Sequence, residues 1–487
     1  MKTNTKTVGN RILIPSLKQK EPCLSRGSIF GILIAVKITK ALLKRYHCEG
    51  PRYTSYPTAP VWSTSYTADQ HHDTLAAIHK TRAEHALYIH IPFCEKRCLY
   101  CACNVVIRKS KPKVGDDYCA YLEKEMALTA GTHRPLIKHV HLGGGTPTFL
   151  SDAQLDRLMK SLAKYFDLSC CVEFSIEVDP RTVNEVRIRR LSTLFNRISF
   201  GVQDLSDHVQ KLVKREHSFL HLQSLFRSAR EAGFLSINAD LIYGLPRQGI
   251  EGFSGTISQV IQLKPDRLAL YSFAYVPWVQ SHQRLLQDEA MPSADEKIAL
   301  FLHARNQFLE HGYKAIAMDH FALPSDELAE AFETGRLRRN FMGYSTLSTP
   351  FYFGLGVSAI SYLNHCFSQN TKTISQYYEQ LDHSQLPIEK GYALSKEDQM
   401  VSWVISKLMS QFECRKDAFN SIFSDDFDDV FKEKIPFLKR CEEEGLLHIE
   451  NSGLVVSQLG RFFVRNICMG LDDYLKNSPT QQFSKTI

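Results

Sequence analysis

The sequence predicts an α/β chain, a complete or partial (β/α) barrel followed by a smaller, mainly helical C-terminal domain. Between residues 87 and 322, β-rich runs alternate with helix-patterned stretches, the order expected of βαβ units and a parallel sheet. The 487 residues, 44% hydrophobic and 23% charged, suffice for one large core and a second smaller one. Past residue 394 the alternation gives way to charged helical stretches and a short hairpin pattern.

Residues 1–45 read as an N-terminal extension whose basic, Ser/Thr-bearing start suits a disordered tail or an over-long start, with a targeting segment as the alternative. Its apolar run at 29–36 stops at Lys37, well short of the ~20 residues that cross a bilayer, so no membrane association is expected. Strands are expected over 87–91, 139–142, 172–176, 197–200, 236–239 and 267–271. Evenly spaced in this way they fit a barrel spanning 46–390 with its flanking elements, whose chemistry collects at the C-terminal ends of the strands. One intervening helix has a legible start. Ser151 and Gln154 form a capping box, and Leu155, Leu158, Met159 and Leu162 follow at helical spacing. Over 391–487, helices precede two short strands at 445–449 and 453–456, around Glu450, Asn451 and Ser452. That arrangement suggests a winged-helix-like domain. It carries no basic recognition helix, so a structural or lid role is expected.

The net charge is +7 with 19 histidines, a mild excess that suits polyanions in general and selects none. No Lys/Arg block marks a nucleic-acid tail, and no nucleic-acid partner is expected. The 13 cysteines are odd in number, and Cys94, Cys98, Cys101 and Cys103 crowd into one short segment. Such clustering in a long chain indicates metal binding in a reducing compartment rather than a disulfide framework, and a cytoplasmic location.

Cys94, Cys98 and Cys101 place three soft ligands in one loop directly after a strand. A [4Fe–4S] cluster with three protein thiolates keeps one iron open to chelate a small molecule. A tetrahedral zinc site that also uses Cys103 is the alternative, although Cys101 and Cys103 are separated by one residue where paired zinc ligands are usually two to four apart. The run Gly143-Gly144-Gly145-Thr146-Pro147 follows the next strand, where residues without a Cβ let backbone approach a ligand closely. Polar residues stand at other strand ends: Glu177, Asp179, Gln203 and Asp240. Any one of them alone also reads as a helix cap. Tyr88, on the strand leading into the loop, reads either as core or as a ligand contact.

Together the cysteine loop and the glycine run resemble the radical S-adenosylmethionine (SAM) superfamily, and more specifically the oxygen-independent coproporphyrinogen III oxidase family. The matching segments are the Gly-Pro-Arg-Tyr-Thr-Ser-Tyr-Pro-Thr run at 50–58 and those at 175–180, 201–204, 240–246, 318–322, 356–361 and 465–469. The similarity runs from about Tyr46 to the C-terminus. The resemblance implies a monomeric enzyme that decarboxylates two propionates of coproporphyrinogen III to vinyls, giving protoporphyrinogen IX in haem biosynthesis. It implies a [4Fe–4S] cluster on Cys94, Cys98 and Cys101, with Cys103 outside the ligand set, and two SAM molecules. Positions matching the first SAM site are Tyr88, Tyr100, Gly144, Glu177 and Ile360. Those matching the second are Gly145, Thr146, Gln203, Arg215, Asp240 and Ala274. An electron donor such as a flavodoxin or ferredoxin is implied as partner.

Two positions depart from the family pattern. Tyr100 stands where Phe is common, which keeps an aromatic ring. Met342 stands where Gln is usual, and a thioether cannot donate an amide's hydrogen bonds. The propionate β-carbon carries no acidic hydrogen, so a radical route is required, with the cofactor supplying the radical and the protein its geometry. A tetracarboxylate substrate calls for cations such as Arg52 or Arg215 near the barrel mouth. A haem-binding chaperone that shares the barrel is the rival reading, but such relatives generally lack the 50–58 segment and a cysteine at the Cys103 position. A zinc-stabilised nucleic-acid protein would require steeply salt-dependent binding.

Overall fold

The expected strands alternate apolar and polar residues, as in His-Val-His-Leu at 139–142 and Ser-Ile-Glu-Val at 175–178. Successive side chains of a strand point to opposite faces of its sheet. The computed structural model, which describes residues 38–109, 112–347, 349–477 and 482–486, converts this alternation into an apolar outer face and a polar inner one. The strands are β1 (His85–Ile91), β2 (Ile137–Gly144), β3 (Glu173–Val178), β4 (Arg197–Gln203), β5 (Ser236–Tyr243) and β6 (Arg267–Ser272). Leu87, Ile89, Val140, Leu142, Ile176, Ile198, Phe200, Ile237, Leu241, Leu268 and Leu270 are fully or almost fully buried in one core with the covering helices. Tyr88, His141, Ser175, Glu177, Ser199, Asn238 and Asp240 occupy the alternate positions. β3 starts at Glu173, one residue after the expected start, and Val172 is exposed.

Six further strands complete the sheet: β7 (Lys314–Ile316), β8 (His320–Ala322), β9 (Tyr352–Leu355), β10 (Ile360–Leu363), β11 (Cys366–Asn370) and β12 (Ile388–Ala393). The order is β12-β11-β10-β9-β1-β2-β3-β4-β5-β6-β8-β7. β9 and β1 to β6 run parallel, and the outer strands are antiparallel. The ladder ends at β12 and β7, so the barrel is the partial one of the two expected forms. Between strands lie the helices Pro112–Ala130, Asp152–Tyr165, Phe219–Glu231 and Ile250–Leu263. The Ser151–Gln154 capping box is present, with Leu155, Leu158 and Leu162 buried beneath it and Met159 packed at the core's edge.

A second core gathers the residues after 394. The expected hairpin forms as Leu447–Glu450 and Gly453–Val456, with Glu450 in the first strand rather than in the turn. A third strand, Glu413–Arg415, joins it; its Glu-Cys-Arg sequence carries no apolar alternation to announce it. Leu43, Tyr53 and Tyr56 enter this same core. Arg465 donates to the carbonyls of Gly50 and Pro51, and Tyr53 Oη donates to Asp472 at 2.9 Å. These bonds tie the 50–58 segment to the C-terminal helices. The expected N-terminal boundary at 45 falls inside the helix Lys40–Tyr46, while residues 1–37, with the apolar run at 29–36, lie outside the described residues. Among the described residues, no helix is long and apolar enough to cross a membrane.

Ion pairs join the N-terminal ends of β3, β4 and β6. Arg197 reaches Glu173 at 2.9 Å and Glu327 at 2.6 Å, and Arg267 reaches Asp326 at 2.7 Å. Asp326 also accepts from Ser236 Oγ at 2.9 Å and caps the helix Glu327–Glu333. Its side chain is 4% exposed, and removing one partner of a buried ion pair strands the other charge. Asp326→Ala is therefore expected to cost about 3–5 kcal/mol of stability, visible as a lower midpoint in chemical denaturation. An unchanged midpoint would show that this cluster does not hold the strands together.

Candidate functional site

β1 continues into the short strand Phe93–Cys94, which pairs with Val106–Ile107 and closes the intervening chain into a loop. Its cysteines are free thiols. Cys94 Sγ lies 3.2 Å from Thr146 Oγ1, and Cys98 Sγ accepts from Arg181 at 3.2 Å and Arg215 at 3.5 Å. Burial pushes the Cys94 thiol up to about 11. The Cys101 thiol is held down to about 7, first by its hydrogen bond with Cys103 and, against burial, by Arg215 and Arg97. Cys103 itself is exposed. Among the described residues no three His, Cys, Asp or Glu side chains gather closely enough to hold a metal ion. A [4Fe–4S] cube held by three thiolates leaves one iron open, whereas a tetrahedral zinc site takes four ligands around a single ion.

The loop's backbone is held from its other side. Carbonyls of Tyr100, Cys101 and Ala102 meet, in order, Gln283 Nε2 at 3.0 Å, His282 Nε2 at 2.9 Å and Gln280 Nε2 at 2.9 Å. Gln283, fully buried, also donates to Ala274 O at 3.1 Å. That bond links the end of β6 to the cysteine loop. Tyr100 packs with Val209, Val213, Leu245 and Phe273.

The glycine run closes against the same loop. Gly144 has φ +109°, and a Cβ there would lie 2.5 Å from the His90 ring, so only glycine serves. Gly145 N donates to Ile91 O at 2.8 Å. What these glycines admit is thus the protein's own chain. Gly144 N donates to Glu177 Oε2 at 3.1 Å, and Glu177 Oε1 lies 3.3 Å from His141 Nε2. His141 Nδ1 meets Ser175 Oγ at 2.8 Å, and its ring stacks on Tyr88 at 5.9 Å. Tyr88 Oη in turn meets His90 Nδ1 at 2.9 Å. Strand register sets this up, since Tyr88, His141 and Ser175 are partners across β1, β2 and β3. Burial pushes the Glu177 carboxyl up, but the His141 hydrogen bond and charge and the Gly144 N–H more than reverse it. Its side chain keeps 43% of its surface accessible, so it faces open space inside the sheet's curve rather than packed side chains.

A third group lies at the ends of β3 and β4. Asp179 binds Arg181 at 2.7 Å and Arg215 at 2.9 Å, and Arg215 donates to Gly201 O at 2.8 Å. A Cβ on Gly201 would lie 2.7 Å from Arg215 Nη2 and 2.8 Å from Gln203 Nε2, so both side chains lie across it. Gln203 has φ +68°, a left-handed conformation at the strand's last residue. Asp240, opposite Gly201 in register, accepts from Ser199 at 2.9 Å and Asn238 at 2.8 Å. Burial, and then the Glu177 charge, raise its carboxyl above the usual range. Arg215 Nε is buried without a partner.

The expected residues therefore meet in two groups. Tyr88, Gly144 and Glu177 form one, with Ile360 beside it against Gly354, the partner of Tyr88 in register. Gln203, Arg215 and Asp240 form the other. Thr146 and Gly145 border the cysteine loop, and Tyr100 and Ala274 are joined through Gln283. Met342 packs with Ala86, Leu347 and Tyr352, where its thioether serves as apolar filling. The sequence reading missed His141, Arg181, Gln280, His282 and Gln283. His141 was signalled by its inner-face alternation with His139, and Arg181 by its place two residues after Asp179. Residues 280–283 carry no local signal. The donor set fits a cluster and a cofactor: three thiols beside two guanidiniums, an accessible carboxylate, and an orphaned guanidinium N–H.

Residues 88–260 match the Radical SAM superfamily and residues 394–463 the HemN C-terminal domain. The oxygen-independent coproporphyrinogen III oxidase of Escherichia coli (strain K12) is 40% identical over 453 residues, covering 92% of this chain and 98% of that protein. Its Helicobacter pylori (strain 26695) counterpart is 40% identical, covering 91% and 98%. The solved Escherichia coli coproporphyrinogen III oxidase (HemN), described as a radical SAM enzyme, superimposes with a TM-score of 0.85 at 38% identity over 90% of this chain and 100% of that one.

Cys98 and Cys103 separate the two metal readings. After anaerobic reconstitution, Cys98→Ser is expected to lose the visible [4Fe–4S] absorption and most bound iron, while Cys103→Ser keeps both. Equal loss in the two variants would point to a four-thiolate site.

Proposed function

The chain belongs to the oxygen-independent coproporphyrinogen III oxidase family of radical SAM enzymes, and on that premise we propose that it oxidatively decarboxylates two propionates of coproporphyrinogen III to vinyls, yielding protoporphyrinogen IX. The observation that carries this reading is the meeting, at the C-terminal ends of parallel strands, of the cysteine loop with Glu177 and Gly144. Cys94, Cys98 and Cys101 would hold a [4Fe–4S] cluster, leaving one iron for SAM. When bound, cluster and SAM supply a carbon-centred radical able to take an unactivated hydrogen.

The chain's own residues do the rest. Arg181 and Arg215 donate to Cys98 Sγ, and hydrogen bonds to a ligating sulfur tune the cluster's potential. Glu177, held ionised by His141 and Gly144, offers a carboxylate to a cationic amino group or to ribose hydroxyls. We assign Tyr88, Tyr100, Gly144, Glu177 and Ile360 to one SAM. Gly145, Thr146, Gln203, Arg215, Asp240 and Ala274 we assign to a second, a reading supported by the unpartnered Arg215 Nε. Lys96 and Arg284, exposed on the two segments that meet at the loop, suit an acidic electron donor such as a flavodoxin or ferredoxin. We place the enzyme in the cytoplasm as a monomer, without membrane or nucleic-acid partners.

An anaerobic assay with SAM, reductant, an electron acceptor and coproporphyrinogen III deuterated at the propionate β-carbons tests this directly. Protoporphyrinogen is expected together with one 5′-deoxyadenosine per vinyl, each carrying deuterium. Unlabelled 5′-deoxyadenosine without protoporphyrinogen from protein with an intact cluster would remove the assignment and favour haem binding or another substrate.

A further inference from the structure

On the β5–β6 side of the barrel mouth, away from the glycine run, the structure gathers cations. Arg52, from the segment that joins the two cores, donates to Ser272 O at 2.8 Å, at the last residue of β6. The Lys297 side chain lies over Gly244, just past the end of β5, where a Cβ would be 2.7 Å from its Cε. Arg339, on the strand Arg338–Asn340, reaches Asp319 Oδ1 at 3.5 Å with its side chain only 6% exposed. Its Nε is buried without a partner. Arg465 stands behind Arg52, bonded to Gly50 and Pro51.

Asp319 is the carboxylate that answers Arg52 and Arg339, and it is shared with His320 at 2.7 Å. Lys297 and Arg465 lie close enough to Arg52 for its charge to bear on both. Burial, and then the Arg52 charge, lower Lys297 to about 8 and Arg465 to about 9. A desolvated group of like charges is costly unless an anion joins it. Two residues beyond Ser272, Ala274 O is tied through Gln283 to the cysteine loop. An anion held here is thus one short segment from the proposed redox centre.

We propose that Arg52 and Arg339, backed by Lys297 and Arg465, form a carboxylate-binding site that seats a propionate of the porphyrinogen other than the one reacting. The proposal rests on the functional reading above and extends it to how the substrate is oriented. A planar guanidinium pair suits a carboxylate because the fork of donors engages both oxygens. A SAM carboxylate is the other possible source of this anion. Arg215, with its unpartnered Nε, already offers the second SAM a cation beside β4, and several cations gathered by Ser272 suit a tetracarboxylate better than a single one, so the porphyrinogen is favoured.

The test measures binding of coproporphyrin III, the stable oxidised tetracarboxylate, to full-length reconstituted protein by fluorescence titration, with SAM binding measured in parallel. Arg52→Gln is expected to weaken coproporphyrin III about tenfold to a hundredfold, the range for losing a charge-assisted hydrogen bond, and to leave SAM affinity unchanged. Arg52→Lys, which keeps charge and loses the fork, should fall between. The unsubstituted protein should bind the tetramethyl ester at least tenfold more weakly than the tetra-acid. Unchanged porphyrin affinity in both variants, or equal affinity for acid and ester, would overturn the proposal. So would a loss confined to SAM, which would give the site to the cofactor. Turnover by the unsubstituted protein is scored separately, so a failure here is distinct from a failure of the oxidase reading.

Discussion

One constraint organises the molecule: the inner face of its parallel sheet is polar. Strands covered by helices on one side commonly bury apolar residues on both faces. Here Tyr88, His141, Ser175, Glu177, Ser199, Asn238 and Asp240 point inward, and each finds hydrogen-bond partners on its own or the neighbouring strand. Half-buried polar groups favour such partners, and the one buried atom of this set left without one is Asn238 Oδ1. The apolar face and its helices supply the stability that this arrangement requires. The ion cluster of Arg197, Arg267, Asp326 and Glu327 joins the N-terminal strand ends, leaving the C-terminal ends for chemistry.

At those ends the cysteine loop is fixed from two directions. Thr146, Arg181 and Arg215 meet its sulfurs, while Gln280, His282 and Gln283 meet its carbonyls. A loop of free thiols beside guanidiniums gains little from burial, so its geometry depends on these contacts. They come from the segments that follow β2, β3, β4 and β6, so the order of the strands sets the site. Gly144 closes against His90, and Gly201 against Arg215 and Gln203. Side chains added there would displace the residues that line the site.

Much of this was legible in the sequence, for identifiable reasons. The alternation at 139–142 and 175–178 reports strand faces locally, and the capping box at Ser151 reports a helix start within four residues. The cysteine spacing and glycine run are equally local. β9 pairing with β1, by contrast, joins segments more than two hundred and fifty residues apart, and nothing in the short run at 352–355 marks its partner. Arg52 and Arg215 were read together as cations for the substrate. The structure separates them, placing Arg215 on Asp179 and Cys98 and Arg52 on Ser272. Side-chain bonds to backbone carbonyls, as at 280–283, leave no pattern because any donor of the right length serves.

The most direct test of the central claim, that Cys94, Cys98 and Cys101 present a cluster with one open iron to SAM, is electron paramagnetic resonance of the reduced protein before and after adding SAM labelled with nitrogen-15 at its amino group. The account predicts a [4Fe–4S]⁺ signal whose g-values change with SAM and which shows hyperfine coupling to the labelled nitrogen. A signal that SAM leaves unchanged, with no coupling to the label, would contradict it.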